Sequence, residues 1–165
     1  MEQLKIGDIL HCSGKGTLSK LIRFFTKSKI SHTAVFIEVW GKPYIIDAQK
    51  DGVNVRPYDE WMKTFQYDFI VTRFLAPLDE KAYCIKAMSM SGHTAYDFKG
   101  LLIKHPWKLI TGNYKRERNP TERMYCSEYV AWTYGITDFY RLTPKDLYAR
   151  CILNGCNIVF LHKQL

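Results

Sequence analysis

The run Thr33-Ala34-Val35-Phe36-Ile37-Glu38-Val39-Trp40 is the feature that most limits how this chain can fold. It is rich in β-branched and aromatic residues, and the segment Trp40-Gly41-Lys42-Pro43 reads as a turn. Tyr44-Ile45-Ile46-Asp47-Ala48 then reads as the returning strand, so the stretch predicts a β-hairpin. A hairpin brings the entry of its first strand near the exit of its second. His32, at the entry, is therefore placed near Asp47. A two-residue turn at Trp40-Gly41 would set His32 opposite Gln49, with Asp47 as the diagonal neighbour on the same face. A loop one residue longer would turn Asp47 to the opposite face. Glu38 shares the face of His32 but lies roughly 20 Å away at about 3.3 Å per residue.

The second informative segment is Arg123-Met124-Tyr125-Cys126-Ser127-Glu128-Tyr129-Val130. Tyr125, Tyr129, Trp132 and Ile136 recur at helical spacing, which predicts a helix from about 126 to 135 with Cys126 in its first turn. The positive end of a helix dipole favours thiolate over thiol. A thiolate needs a base, and His32 is the best placed histidine by this reading. Cys126, His32 and Asp47 thus form a candidate nucleophile, general base and orienting carboxylate for acyl transfer through a thioester. Spacing alone carries little weight, because such residues meet in space and not in sequence.

Elsewhere the pattern predicts a strand over 6–12, helices over 17–27, 58–65 and 79–91, and a strand over 67–74. Thr143-Pro144 marks a helix start, with threonine as cap and proline at the first position. A last strand spans 157–162. Residues 96–110 read as partly helical and 111–122 as a loop able to cover the site. Strands grouped around helices, without βαβ alternation, indicate an α+β fold.

The order of these segments resembles the circularly permuted NlpC/P60 cysteine hydrolases, in the YiiX/YebB-like branch. Ile6-Gly7-Asp8-Ile9-Leu10 is similar to that family's opening strand and Ser19-Lys20-Leu21-Ile22 to its first helix. Ser31-His32-Thr33-Ala34-Val35 resembles the histidine strand, and Tyr44-Ile45-Ile46-Asp47-Ala48 the acid strand. Tyr96-Asp97-Phe98-Lys99-Gly100, Tyr125-Cys126-Ser127-Glu128-Tyr129-Val130 and Leu142-Thr143-Pro144-Lys145-Asp146-Leu147 resemble the remaining segments in order. The resemblance implies a permuted papain-like fold over one domain, 1–165: a small antiparallel sheet or barrel packed against helices. It implies catalytic Cys126 and His32, with Asp47 where relatives more often carry glutamate. The related lecithin:retinol acyltransferase-like group typically has a second histidine at that position and a Cys-Glu-His run. Here Cys126 is followed by Ser127-Glu128.

Composition narrows the rest. The chain has 165 residues and 47% hydrophobic content, within the globular range. No apolar run at the amino terminus reads as a signal peptide, and no stretch nears the roughly 20 apolar residues of a membrane span. A cytoplasmic location is expected. Five cysteines, Cys12, Cys84, Cys126, Cys151 and Cys156, form no Cys-x-x-Cys pair, so free thiols are expected and no metal or cofactor is. Cys84 and Cys12 read as packing residues. Among the other histidines, His11 could approach the site, while His93, His105 and His162 read as surface residues.

The net charge is +8. Five basic residues and no acid lie between Lys15 and Lys29, and seven basic residues against two acids lie between Phe98 and Arg123. Such stretches suit either a solvated surface or an anionic partner: lipid headgroup, cell-wall polymer or nucleic acid. No nucleic-acid motif is present. The leading function is therefore a thiol hydrolase acting on an amide or ester in a peptide, cell-wall fragment or lipid. The alternatives are a lipid-directed acyltransferase or phospholipase, and a catalytically silent binding module.

Overall fold

The computed structural model describes residues 3–65, 67–97, 122–139 and 142–162. Its frame is a six-stranded sheet built from β1 (Ile9–Ser13), β2 (His32–Val39), β3 (Lys42–Gln49), β4 (Gly52–Pro57), β5 (Asp68–Arg73) and β8 (Asn157–His162). The strand order is β4-β3-β2-β1-β5-β8, and every neighbouring pair is antiparallel. The sheet is open rather than closed into a barrel. A short parallel pair, β6 (Ala95–Tyr96) with β7 (Arg123–Met124), stands apart. With the helices α1 (Thr17–Thr26), α2 (Tyr58–Phe65), α3 (Glu80–Met88), α4 (Cys126–Thr133) and α5 (Pro144–Leu153), the fold is α+β.

Side-chain alternation along the strands divides the interior in two. Ile9, Val35, Ile37, Ile46, Ala48 and Val53 turn to one face, where Tyr83 and Ala87 of α3, Tyr129 and Val130 of α4, and Leu147 and Cys151 of α5 cover them. Leu10, Cys12, Ala34, Phe36, Ile45, Phe69 and Val71 turn to the other, around the fully buried Trp61 of α2. His32, Asp47 and Gln49 share the alternation of this second set and so lie on the α2 face.

The hairpin turn fixes that placement. Val39 pairs with Lys42, leaving a two-residue turn in which Trp40 (φ 51°) and Gly41 (φ 71°) both adopt left-handed backbone. Two successive positive φ values match the right-handed twist of the flanking strands. Pro43 lies within β3 rather than in the turn. The helix start at α5 follows the local code closely. Asp146 N–H donates to Thr143 Oγ1 and Thr143 N–H to Asp146 Oδ2, both at 3.1 Å, with Pro144 at the first helical position.

Cys84 packs against the core as expected but is only half-buried. Two side chains depart from the sequence reading. His162 is half-buried rather than exposed: its ring stacks on Phe69 at 4.7 Å, and Nε2 is buried. His11 lies within β1, on the face opposite His32. The expected partial helix over 96–110 and covering loop over 111–122 fall almost entirely outside the described residues.

Candidate active site

The register places the site. Ala34 pairs with Asp47, and continuing by two residues sets Gln49 opposite His32. Asp47 is then the diagonal neighbour of His32, and its Oδ2 lies 2.9 Å from His32 Nε2. Asp47 is completely buried, so its two oxygens must be satisfied by protein. Gln49 Nε2 donates to Oδ2 at 2.7 Å and Trp61 Nε1 donates to the same oxygen at 3.0 Å. Arg56 of β4 donates to Oδ1 at 2.9 Å, its other guanidinium arm reaching Asp51. Gln49 Nε2 also lies 3.4 Å from His32 Nε2. With both nitrogens aimed at Oδ2, we read that approach as a consequence of the shared acceptor.

These donors act on the charge of Asp47. Burial opposes ionisation, but the hydrogen bond and charge of His32, with bonds from Trp61 and Gln49, outweigh it and hold the carboxyl below its ordinary range. His32 shows the same contest with the opposite sign. Burial disfavours the charged ring. The charges of Cys126 and Tyr67, with side-chain hydrogen bonds to Asp47 and Cys126, outweigh it and hold the ring well above the usual histidine value. With Nε2 on Asp47, Nδ1 is the ring nitrogen left for another partner.

Cys126 opens α4 and belongs to the packing layer on the opposite face, yet it couples to the His32 ring. The start of its helix is held by Glu128, whose Oε2 accepts from Tyr125 N–H at 3.2 Å. Burial pushes the thiols of Cys12, Cys84, Cys151 and Cys156 up, Cys151 to about 12. Cys12 pairs across the strands with His32. His11 does not join the site. Its Nε2 lies 2.8 Å from Thr72 Oγ1, its ring abuts Tyr148, and burial lowers its pKa to about 3.

Tyr67 completes the surroundings. Its ring lies 5.4 Å from His32 and stacks on Phe65 at 5.7 Å, and its hydroxyl accepts from Gln49 Nε2 at 3.3 Å. His32, Gln49, Lys50, Arg56 and Tyr67 line a cavity of about 200 Å³ together with Leu18 and Ile22 of α1. Cys126 is fully buried and is not on that wall. A larger cavity, about 730 Å³, opens at the opposite end of β1 among Gly7, Phe74, Tyr134 and Arg150 and holds none of these residues.

Gln49, Arg56, Trp61 and Tyr67 were not singled out from sequence as functional residues. Gln49 had a signal, since the hairpin register already set it opposite His32. Trp61 and Tyr67 had none, because a helix tryptophan and a strand tyrosine look like core.

The profile of the permuted papain-like amidases, YaeF/YiiX, C92 family, matches residues 3–149. The chain belongs to this family. Its members are papain-like amidases, so the protein is a thiol hydrolase in general class. Among solved structures, the crystal structure of metalloprotein yiiX from Escherichia coli O157:H7 is similar at a TM-score of 0.64 and 18% identity, covering 99% of this chain and 100% of that one. At that identity the likeness speaks for the fold. No curated protein matches. Among the described residues, no helix is long and apolar enough to cross a membrane.

Proposed function

We propose that this permuted papain-like amidase cleaves an amide bond through a thioester on Cys126, with His32 as acid and base and Asp47 as its orienting carboxylate. The observation that carries the reading is the bond between His32 Nε2 and the buried Asp47 at 2.9 Å, with the Cys126 side chain near enough to the ring to raise its pKa. In this mechanism the thiolate attacks the amide carbonyl, and imidazolium returns its proton to the departing amine. Neutral His32 then draws a proton from water as the thioester hydrolyses. Asp47 fixes the ring orientation and stabilises imidazolium in both steps. The Cys126 backbone N–H, at the first position of α4, is the natural donor to the oxyanion.

The yiiX neighbour is described as a metalloprotein. Among the described residues here, no group of three or more His, Cys, Asp or Glu side chains is placed to hold a metal ion. Both oxygens of Asp47 are filled by protein donors, so the residues of this site do not fit one.

The test is iodoacetamide alkylation with peptide mapping across all five cysteines, alongside turnover of an amide library. Selective alkylation of Cys126 below pH 7, lost in His32→Ala, with turnover abolished in Cys126→Ala, is the expected result. Turnover persisting in Cys126→Ala would refute the assignment.

A further inference from the structure

The outward face of α1 is both apolar and basic, and the catalytic reading does not use it. Ile22 turns inward against Tyr125, with Leu18 beside it. On the outward side Phe24 is 76% exposed and Leu21 39% exposed. At about 100° per residue, Thr17, Leu21 and Phe24 form one stripe, with Lys20 and Lys27 along its margin. The apolar stripe of α1 is therefore wider than its packing requires. From Lys15 to Lys29 the chain carries Lys15, Lys20, Arg23, Lys27 and Lys29 and no acidic residue. Arg23 is drawn to Ser13 Oγ at 3.3 Å, whereas the four lysines are exposed.

An aromatic and a leucine facing water between lysines is the pattern of a helix lying in a membrane interface. We propose that α1 docks the protein on the surface of an anionic lipid bilayer. Phe24 and Leu21 enter the boundary between headgroups and acyl chains, and Lys20 and Lys27 face the lipid phosphates. Charge complementarity alone would suit a nucleic-acid backbone equally well. The exposed Phe24 and Leu21 decide for the bilayer, since a phosphodiester chain rewards the lysines and leaves both apolar side chains in water. The docking rests on no catalytic assignment, but it has a consequence for access. Leu18, Ser19 and Ile22 of the same helix form part of the wall of the His32 cavity, so docking sets that cavity beside the lipid surface.

Co-sedimentation of the full chain tests this with two vesicle compositions, phosphatidylcholine alone and a three-to-one mixture with phosphatidylglycerol. The protein is expected to sediment with the anionic vesicles at low salt, to be released as salt screens the lysines, and to ignore phosphatidylcholine alone. Phe24→Ser with Leu21→Ser should weaken binding about tenfold or more, the scale of losing one large apolar contact. Lys20→Glu with Lys27→Glu should do the same through charge. Trp40→Asn, an exposed aromatic roughly 25 Å along β2 at about 3.3 Å per residue, should change nothing. Cys126→Ala should sediment as the parent does, which separates this result from failure of the catalytic reading. Absence of sedimentation at low salt, or binding indifferent to Phe24→Ser with Leu21→Ser, would overturn the proposal. Retention on a short DNA duplex without vesicle binding would overturn it in favour of nucleic acid.

Discussion

Replacing Asp47 by Asn removes one charge and almost no volume, and the surrounding cage turns that change into a specific cost. Oδ2 receives His32, Gln49 and Trp61, and Oδ1 receives Arg56, so every contact is with an N–H donor. An amide has one acceptor oxygen and one NH₂ donor. With its oxygen in the Oδ2 position, the NH₂ meets the Arg56 guanidinium; flipped, it meets three donors. The first arrangement is the less costly and still loses a hydrogen bond between charged groups, about 1.5–3 kcal/mol of stability. The effect on the site is separate. Imidazolium keeps a neutral acceptor in place of a carboxylate, roughly half as strong a partner. A loss of about 2–3 kcal/mol in holding the His32 proton corresponds to a roughly 30- to 150-fold slower alkylation of Cys126 near neutral pH. The assay is the pH profile of iodoacetamide alkylation, read beside the His32 ring resonance by NMR. The expected result is a His32 pKa that falls in the variant together with the alkylation rate. An unchanged ring pKa with an alkylation rate within about threefold of the parent would refute the claim that Asp47 acts through charge on His32.

Trp61→Phe deletes the indole donor 3.0 Å from Asp47 Oδ2 and leaves space in a fully buried site. It should cost about 2–4 kcal/mol in urea unfolding, while Cys126 alkylation stays within about tenfold. A larger fall in alkylation than in Asp47→Asn would contradict this order of roles. Stability should also follow pH from both ends. The pKa of Asp47 is lowered on folding, so its contribution is present above about pH 3.9 and is lost as pH falls through the folded value. The pKa of His32 is raised, so its contribution is complete below about pH 6.5 and is lost as pH climbs toward the folded value. Thermal unfolding across pH should show an acid limb that is diminished in Asp47→Asn; an identical limb in that variant would exclude Asp47 as its source.

Local code and long-range packing contributed differently to this site. Trp40-Gly41 accepts left-handed backbone at both positions, and that two-residue turn fixes the strand register and with it the diagonal between His32 and Asp47. Those relations involve residues close in sequence and a strict two-residue period, so the hairpin and its two possible registers were legible in the sequence. The cap at Thr143-Pro144 and the start of the helix at Cys126 were legible for the same reason: each is a local hydrogen-bonding or dipole pattern. The sequence alone left the turn length open, and with it the face on which Asp47 lies. The cage around Asp47 was beyond its reach. Trp61 donates to a carboxylate only because α2 packs across the end of β3, and Arg56 only because β4 returns beside it. The pairing of Cys126 with His32 brings together helix and strand residues from opposite layers of the sheet. Whether a histidine's pKa is raised, as at His32, or lowered, as at His11, follows from burial and from what surrounds the ring. Both residues sit in strands of similar composition, and only the packed interior distinguishes them.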